Sequence, residues 1–137
     1  MTEASVSSAF MSALRKRLPD AVIVKLRDAS FIGLPDCSIT FRRYAFFVEF
    51  KLWQPQKRWD GKCDVQKIAE KSPVQFEMMK RLYRSAMNAW YIVWAKKTGR
   101  CFVWLPRNDT PYGEEISQDT LVELMAGWME NLCDSTK

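Results

Sequence analysis

The run Phe46-Phe47-Val48-Glu49-Phe50-Lys51-Leu52-Trp53 constrains this chain more than any other stretch. Aromatic and β-branched residues in such density predict a strand, and strict alternation puts Phe46, Val48, Phe50 and Leu52 on a core face. Phe47, Glu49, Lys51 and Trp53 fall on the other face. An acid and a base interrupt a strand that more apolar residues would stabilise. An unpaired charge among such neighbours costs roughly several kcal/mol, so the exception points to chemistry.

The preceding residues supply a partner. Cys37 to Phe41 and Tyr44 to Trp53 read as two arms of a hairpin turning at Arg42-Arg43. Arg-Arg is poor chemistry for a two-residue turn, but a four-residue turn over Phe41 to Tyr44 has the same centre. In both versions paired residue numbers sum to 85, which sets Asp36 opposite Glu49. Gly33 permits unusual φ, and Pro35 holds Leu34 extended, so Gly33-Leu34-Pro35-Asp36 delivers Asp36 to the start of a strand. Opposed residues lie about 4.5–5.5 Å apart at Cα, where two acids repel unless a cation sits between them. Lys51 follows Glu49 on the same face, about 6.6 Å along the strand.

Several chemistries are excluded by composition. The chain has no histidine, which removes Ser-His-Asp and Cys-His nucleophiles and histidine zinc sites. Its four cysteines, Cys37, Cys63, Cys101 and Cys133, form no Cys-x-x-Cys pair and no evident disulfide framework. Catalysis would rest on carboxylates, lysine and water. A net charge of +5 favours a polyanionic partner without identifying one. No apolar run approaches the about 18 residues that span a bilayer, and the first residues carry no basic and apolar signal segment. The expectation is one domain over residues 1–137, with no membrane partner and a cytoplasmic location.

Around the hairpin the chain reads as follows. Thr2 caps a helix to about Arg17, with Val6, Phe10, Ala13, Leu14 and Leu18 facing a sheet. Ala21 to Leu26 is a first strand, and Arg27 to Ile32 a loop. Gln54 to Lys62 is a polar, basic and mobile loop; Cys63 to Glu70 is a short helix. Ser72-Pro73-Val74-Gln75 starts a helix to about Met87, with Phe76, Met79, Tyr83 and Met87 in one stripe and Met78, Leu82 and Ala86 in another. Trp90 to Ala95 and Arg100 to Leu105 form a second hairpin, Pro106 to Gly113 a loop, and Ser117 caps a last helix. That helix presents Leu121, Leu124, Met125, Trp128 and Leu132 on one face.

Pro-Asp before a strand, Glu-x-Lys on the next, and a downstream Ser-x-x-Gln helix make the chain resemble the PD-(D/E)XK nuclease superfamily, over about residues 2 to 105. The nearest pattern is the small VRR-NUC and Holliday-junction-resolvase-like group. The resemblance implies an α/β fold with a restriction-endonuclease-like αβββαβ core, a central mixed sheet flanked by helices, plus a C-terminal hairpin strand and helix. It implies a DNA endonuclease that uses Mg2+, with Mn2+ as a substitute, and that acts on branched or junction DNA. In that family the acids and a backbone carbonyl bind the metal. Carried over, these are Asp36, Glu49 and the Phe50 carbonyl, with Lys51 acting on water and phosphate, Gln75 as the helix glutamine, and Glu3 as an optional first-helix acid.

Each assignment has a plainer counterpart. Asp36, Glu49 and Lys51 could form a cross-strand ion network on a solvated face, Gln75 could close a capping box, and Glu3 could merely favour its own helix N-terminus. Pro19-Asp20 and Asp60-Gly61-Lys62 repeat the short strings out of context, one as a helix stop and one in a loop. Lys57, Arg58 and Lys62 could hold DNA phosphates, with Trp53 and Trp59 stacking on bases or wedging a junction open. Arg42 and Arg43 are DNA contacts or solvated turn residues. The Trp90–Trp94 strand and the methionine-rich helix are core or part of a homodimer interface. A DNA-binding, inhibitory or assembly protein of the same fold is the alternative function, an RNA-binding domain a weaker one, and the compact size suits a phage-encoded protein in a bacterial host.

Overall fold

The computed structural model describes residues 2–26, 33–86, 88–106 and 109–134, with only the backbone at residue 86. The element order is α1 (Glu3–Arg17), β1 (Val22–Lys25), β2 (Cys37–Phe41), β3 (Tyr44–Trp53), α2 (Val65–Glu70), α3 (Pro73–Ala86), β4 (Ala89–Ala95), β5 (Arg100–Trp104), β6 (Glu114–Ser117) and α4 (Gln118–Asp134). The strands form one mixed sheet in the order β1-β2-β3-β4-β5-β6. Only β3 and β4 are parallel, as their connection through α2 and α3 requires. The architecture is α/β and contains the expected αβββαβ order.

The β2–β3 register is the one the hairpin centre dictates, from Cys37 opposite Val48 to Phe41 opposite Tyr44. The turn is the two-residue version. Arg42 and Arg43 both adopt left-handed backbone, φ 49° and 77°, as a type I′ turn requires. Tertiary contacts support this poor turn sequence: the Arg42 guanidinium lies 4.7 Å over the Phe41 ring and pairs with Asp134 of α4 at 3.2 Å.

Alternation divides the core into two layers. Phe46, Val48 and Phe50 of β3 join Trp90, Ile92 and Trp94 of β4 beneath α1 and α4. The opposite face is covered as well. Tyr91, Val93 and Ala95 pack there with Cys63, Val65 and Ala69 at α2 and Met79 of α3, and Phe47 and Trp53 lie against them. Glu49 therefore does not stand on a solvated face, and the plain surface ion network fails: its residue is only 2% exposed. The fully buried β4 is core, so that strand is no dimer surface.

Other boundaries moved modestly. Thr2 caps α1 with a reciprocal Ser5 bond, and Phe10, Met11, Leu14 and Leu18 are buried. α2 begins later than expected, capped by Asp64, whose carboxylate accepts from Lys67 N–H at 2.9 Å. Of the α3 stripes, Met79 is fully buried while Phe76, Leu82 and Tyr83 pack partly, and Met87 lies outside the described residues, as does the 27–32 loop. On α4 the buried line is Leu121, Met125, Ala126, Met129 and Cys133, rotated slightly from the expected one.

One strand was not foreseen. Glu114–Ser117 pairs with β5, and only Ile116 of its four residues is buried. A single apolar side chain gives no alternating pattern to detect. Its place is held by the β5 ladder and by Arg100, whose guanidinium grips Glu115 with contacts of 2.7 and 2.6 Å. No helix among the described residues is long and apolar enough to cross a membrane.

Candidate metal and nucleic-acid site

β2 stops pairing at Cys37, whereas β3 runs on to Trp53. Phe47 N–H bonds Asn88 on the β4 side, so odd-numbered residues of β3 serve that ladder and even-numbered ones face β2. Past Val48 the N–H and C=O groups of Phe50 and Leu52 thus point to an edge that has lost its partner strand. Two acids take the freed donors. Asp36 Oδ2 accepts from Phe50 N–H at 2.8 Å, and Glu3 Oε2 from Leu52 N–H at 3.3 Å. Glu3 is accordingly not just a charge at its own helix terminus. By the same parity the Phe50 carbonyl lies on the edge that Asp36 caps.

Gly33 shapes the approach. It adopts φ 102°, and an added Cβ would meet Val74 Cγ1 at 3.0 Å and the Val74 carbonyl oxygen at 3.3 Å. This close passage over the start of α3 brings Leu34 to Gln75, whose Nε2 donates to the Leu34 carbonyl at 3.3 Å. Ser72 N–H bonds Ala69 instead, and Gln75 Oε1 is buried without a partner. The capping box is therefore not formed; Gln75 braces the loop that carries Asp36.

Glu49 sits where the sheet is best covered. Lys51 Nζ reaches Glu49 Oε2 at 3.1 Å, while Glu49 Oε1 is buried with no hydrogen-bond partner. Burial first, and then the charge of Asp36, push the Glu49 carboxyl up to about 8 against the pull of Lys51. The last β2–β3 pair is Cys37 with Val48, one step short of the two acids. Across the parallel ladder Glu49 faces Tyr91, whose hydroxyl is also buried and unpartnered. Burial and the Glu49 charge raise that phenol above its ordinary value. Burial, Asp36 and Glu49 together push the Cys37 thiol up to about 12, which leaves it an inert packing residue.

The donor set suits a hard cation. Asp36, Glu49 and the Phe50 carbonyl offer oxygen only, and a cation would satisfy the orphaned Glu49 Oε1 and relieve the repulsion that raises its carboxyl. Among the described residues no three acids, cysteines or histidines gather around one point. With so few protein donors, a cation held there would keep water ligands. Beside the edge, Glu3, Ser7, Lys25, Asp36 and Phe50 line an open cleft of about 220 Å³.

Two further members were not singled out from sequence. Lys25 ends β1 and enters the cleft only because β1 pairs with β2. Tyr91 was hidden in an apolar strand, though it is the hydroxyl-bearing residue of that run. The remaining sequence candidates lie apart. Arg42 and Arg43 are about 20 Å from Glu49, six residues back along β3 at about 3.3 Å each.

Arg58, Trp59 and Lys62 border a larger cleft of about 450 Å³ beyond Trp53. The loop expected to be mobile is fastened. Trp59 donates to the Lys62 carbonyl at 2.6 Å, meets Trp53 edge-on at 5.5 Å and lies under the Arg100 guanidinium at 4.3 Å. Trp59 is thus largely engaged in packing. Lys57 is exposed on the same loop.

No protein-family model and no curated protein matches this chain. Among solved structures it is similar to Hjc, a Holliday junction resolvase from the archaeal hyperthermophile Archaeoglobus fulgidus. The two are 12% identical, the likeness covering 82% of this chain and 88% of that one at a TM-score of 0.44.

Proposed function

We propose that this chain is a divalent-metal-dependent DNA endonuclease whose centre is Asp36, Glu49 and Lys51. One observation carries the reading: a carboxylate buried to 2% exposure, with one oxygen unpartnered and a second acid near enough to raise it, is costly as mere packing. Asp36, Glu49 and the Phe50 carbonyl would hold magnesium, or manganese in its place. When bound, such an ion polarises the phosphate and lowers the pKa of a water ligand.

The protein's own groups do the rest. Asp36 is tied to Phe50 N–H beside the last β2–β3 pair and Glu49 sits within β3, so both acids are positioned before substrate arrives. Lys51, anchored on Glu49, presents a cation two residues along the same face, where it can orient a water and stabilise charge growing on phosphate oxygens. Gln75 braces the Asp36 loop, and Lys25 lends a positive charge to the cleft mouth. Glu3 closes the strand edge through Leu52 and adds a carboxylate beside the metal position. Arg58, Lys57 and Lys62 provide phosphate contacts on the far side, where Trp53 and Trp59 form an aromatic wall.

Branched or junction DNA is the substrate class that the sequence resemblance favours. The test is incubation with plasmid, linear, single-stranded and four-way-junction DNA, with and without magnesium, beside Asp36→Ala and Lys51→Ala. Cutting by the parent alone, dependent on the ion, supports the enzyme. Binding without cutting under magnesium or manganese would leave a DNA-binding or assembly protein, a reading favoured by the small number of acids at the site.

A further inference from the structure

The geometry points to a second binding site next to the first: the cleft beyond Trp53 takes an unpaired nucleotide from a single-stranded flank of the DNA. This rests on the DNA reading above and goes further, because it assigns α2 and the Tyr112 segment to substrate recognition. Glu49, Lys51 and Trp53 follow one another on a single face of β3, and Trp53, about 6.6 Å past Lys51, lines the cleft. A strand held at Lys51 and running on along this face of β3 would reach Trp53 in the wall of the cleft.

The lining matches that ligand. Arg58 and Lys62 come from the loop, and Lys67 and Lys71, one helical turn apart, come from α2 and its C-terminal cap. None of these four cations is in an ion pair among the described residues, so all four are available to a phosphate. The two acids in the cleft are turned to backbone: Asp60 accepts from Lys62 N–H at 2.9 Å and Asp64 caps α2. Tyr112 is 46% exposed and offers a ring beside the cations, with Lys62 Nζ at 5.6 Å. Cations around aromatic rings are the signature of single-strand binding. A cleft of about 450 Å³ is the size of a pocket for one small ligand, so a nucleotide fits where a duplex does not.

The experiment compares a blunt duplex with the same duplex carrying an oligo-dT overhang, bound to the full chain with calcium replacing magnesium, across a salt series. The parent should bind the overhang at least tenfold more tightly. Lys67→Ala/Lys71→Ala should collapse that preference to about twofold. It should also lower the slope of log affinity against log salt on the overhang by about 1.4, at about 0.7 per single-strand phosphate contact. Tyr112→Ala, which changes no charge, should weaken overhang binding about tenfold with its salt slope retained. Equal binding of both duplexes by the parent overturns the subsite while leaving the DNA reading intact, and so does an equal loss on both in the lysine variant. Binding of neither duplex ends both readings. Thermal unfolding of each variant guards against loss of fold, since all three positions lie at the surface.

Discussion

The carboxylate of Asp36 caps the backbone N–H of Phe50 at 2.8 Å, so the same side chain whose charge raises the Glu49 carboxyl also seals the strand edge next to it. Structure and chemistry are joined in one residue, and substitutions can part them. Asp36→Ala should remove both, costing about 1–2 kcal/mol of stability and at least about 10² in cleavage rate. Asp36→Asn keeps an acceptor for Phe50 but loses the charge. It should unfold close to the parent temperature while cutting as poorly as Asp36→Ala, and thermal melts beside single-turnover cleavage will tell.

Glu49 contributes a distinct pH dependence to the ion-free protein. Its carboxyl titrates near 8 when folded and near 4.5 in the reference state, so the folded chain holds the extra proton between those values. Stability must therefore fall as pH rises from about 4.5 to about 8, by up to roughly 4 kcal/mol. Glu49→Gln, which cannot ionise, should give melting temperatures that fall less over this range and exceed the parent's at pH 8. A parent curve that is flat or rising from pH 5 to 8 would refute the assignment.

Magnesium should reverse that loss. At pH 8 millimolar magnesium is expected to raise the parent's melting temperature and leave Glu49→Gln and Asp36→Asn unmoved, because only the paired acids bind it. Calorimetry under the same conditions should detect heat of binding for the parent alone.

Lys51 lowers the Glu49 carboxyl as well as facing the substrate. Lys51→Ala should cut about 10²–10³ more slowly and shift the pH at which magnesium binds upward, since Glu49 then holds its proton to a higher pH. A magnesium affinity with unchanged pH dependence would show that the ion pair at 3.1 Å does not form in solution.

Arg100 fastens the basic loop through Trp59, the Gly61 carbonyl at 3.2 Å and Glu115. Arg100→Lys keeps the charge but forfeits the forked pair and the flat stacking surface. Limited proteolysis should nick residues 54–62 several-fold faster in that variant, with tryptophan emission shifted to the red.

What the sequence reveals here follows from how local each cause is. The β2–β3 register was legible because a hairpin's centre fixes every pair, and it survived doubt over whether Arg42-Arg43 could turn the chain. The turn itself was less so, since Phe41 and the distant Asp134 compensate its chemistry. Burial of Glu49 depends on α2 and α3 covering a face that alternation alone marked as polar. The roles of Glu3 and Lys25 depend on where β2 stops and what β1 pairs with. β6 was invisible because Ile116 is its one buried residue, and Lys67 and Lys71 looked like ordinary surface lysines until the fold set them around one cleft.

The two left-handed arginines at the hairpin tip give the molecule an unusual vulnerability. Exposed loop tips are where inserted or deleted residues are normally absorbed without harm. Here the tip acts as the origin of a ruler whose far end is the acid pair, and strand faces alternate with every residue. Adding one residue between Arg42 and Arg43 would shift each pairing on one arm and turn Asp36 away from Glu49, about 20 Å from the change. Exchange of Arg42-Arg43 for Asn-Gly preserves the count and should be harmless. In this hairpin chain length matters more than side-chain identity, so a family tree of such proteins should tolerate substitution at the tip and resist any change in its length.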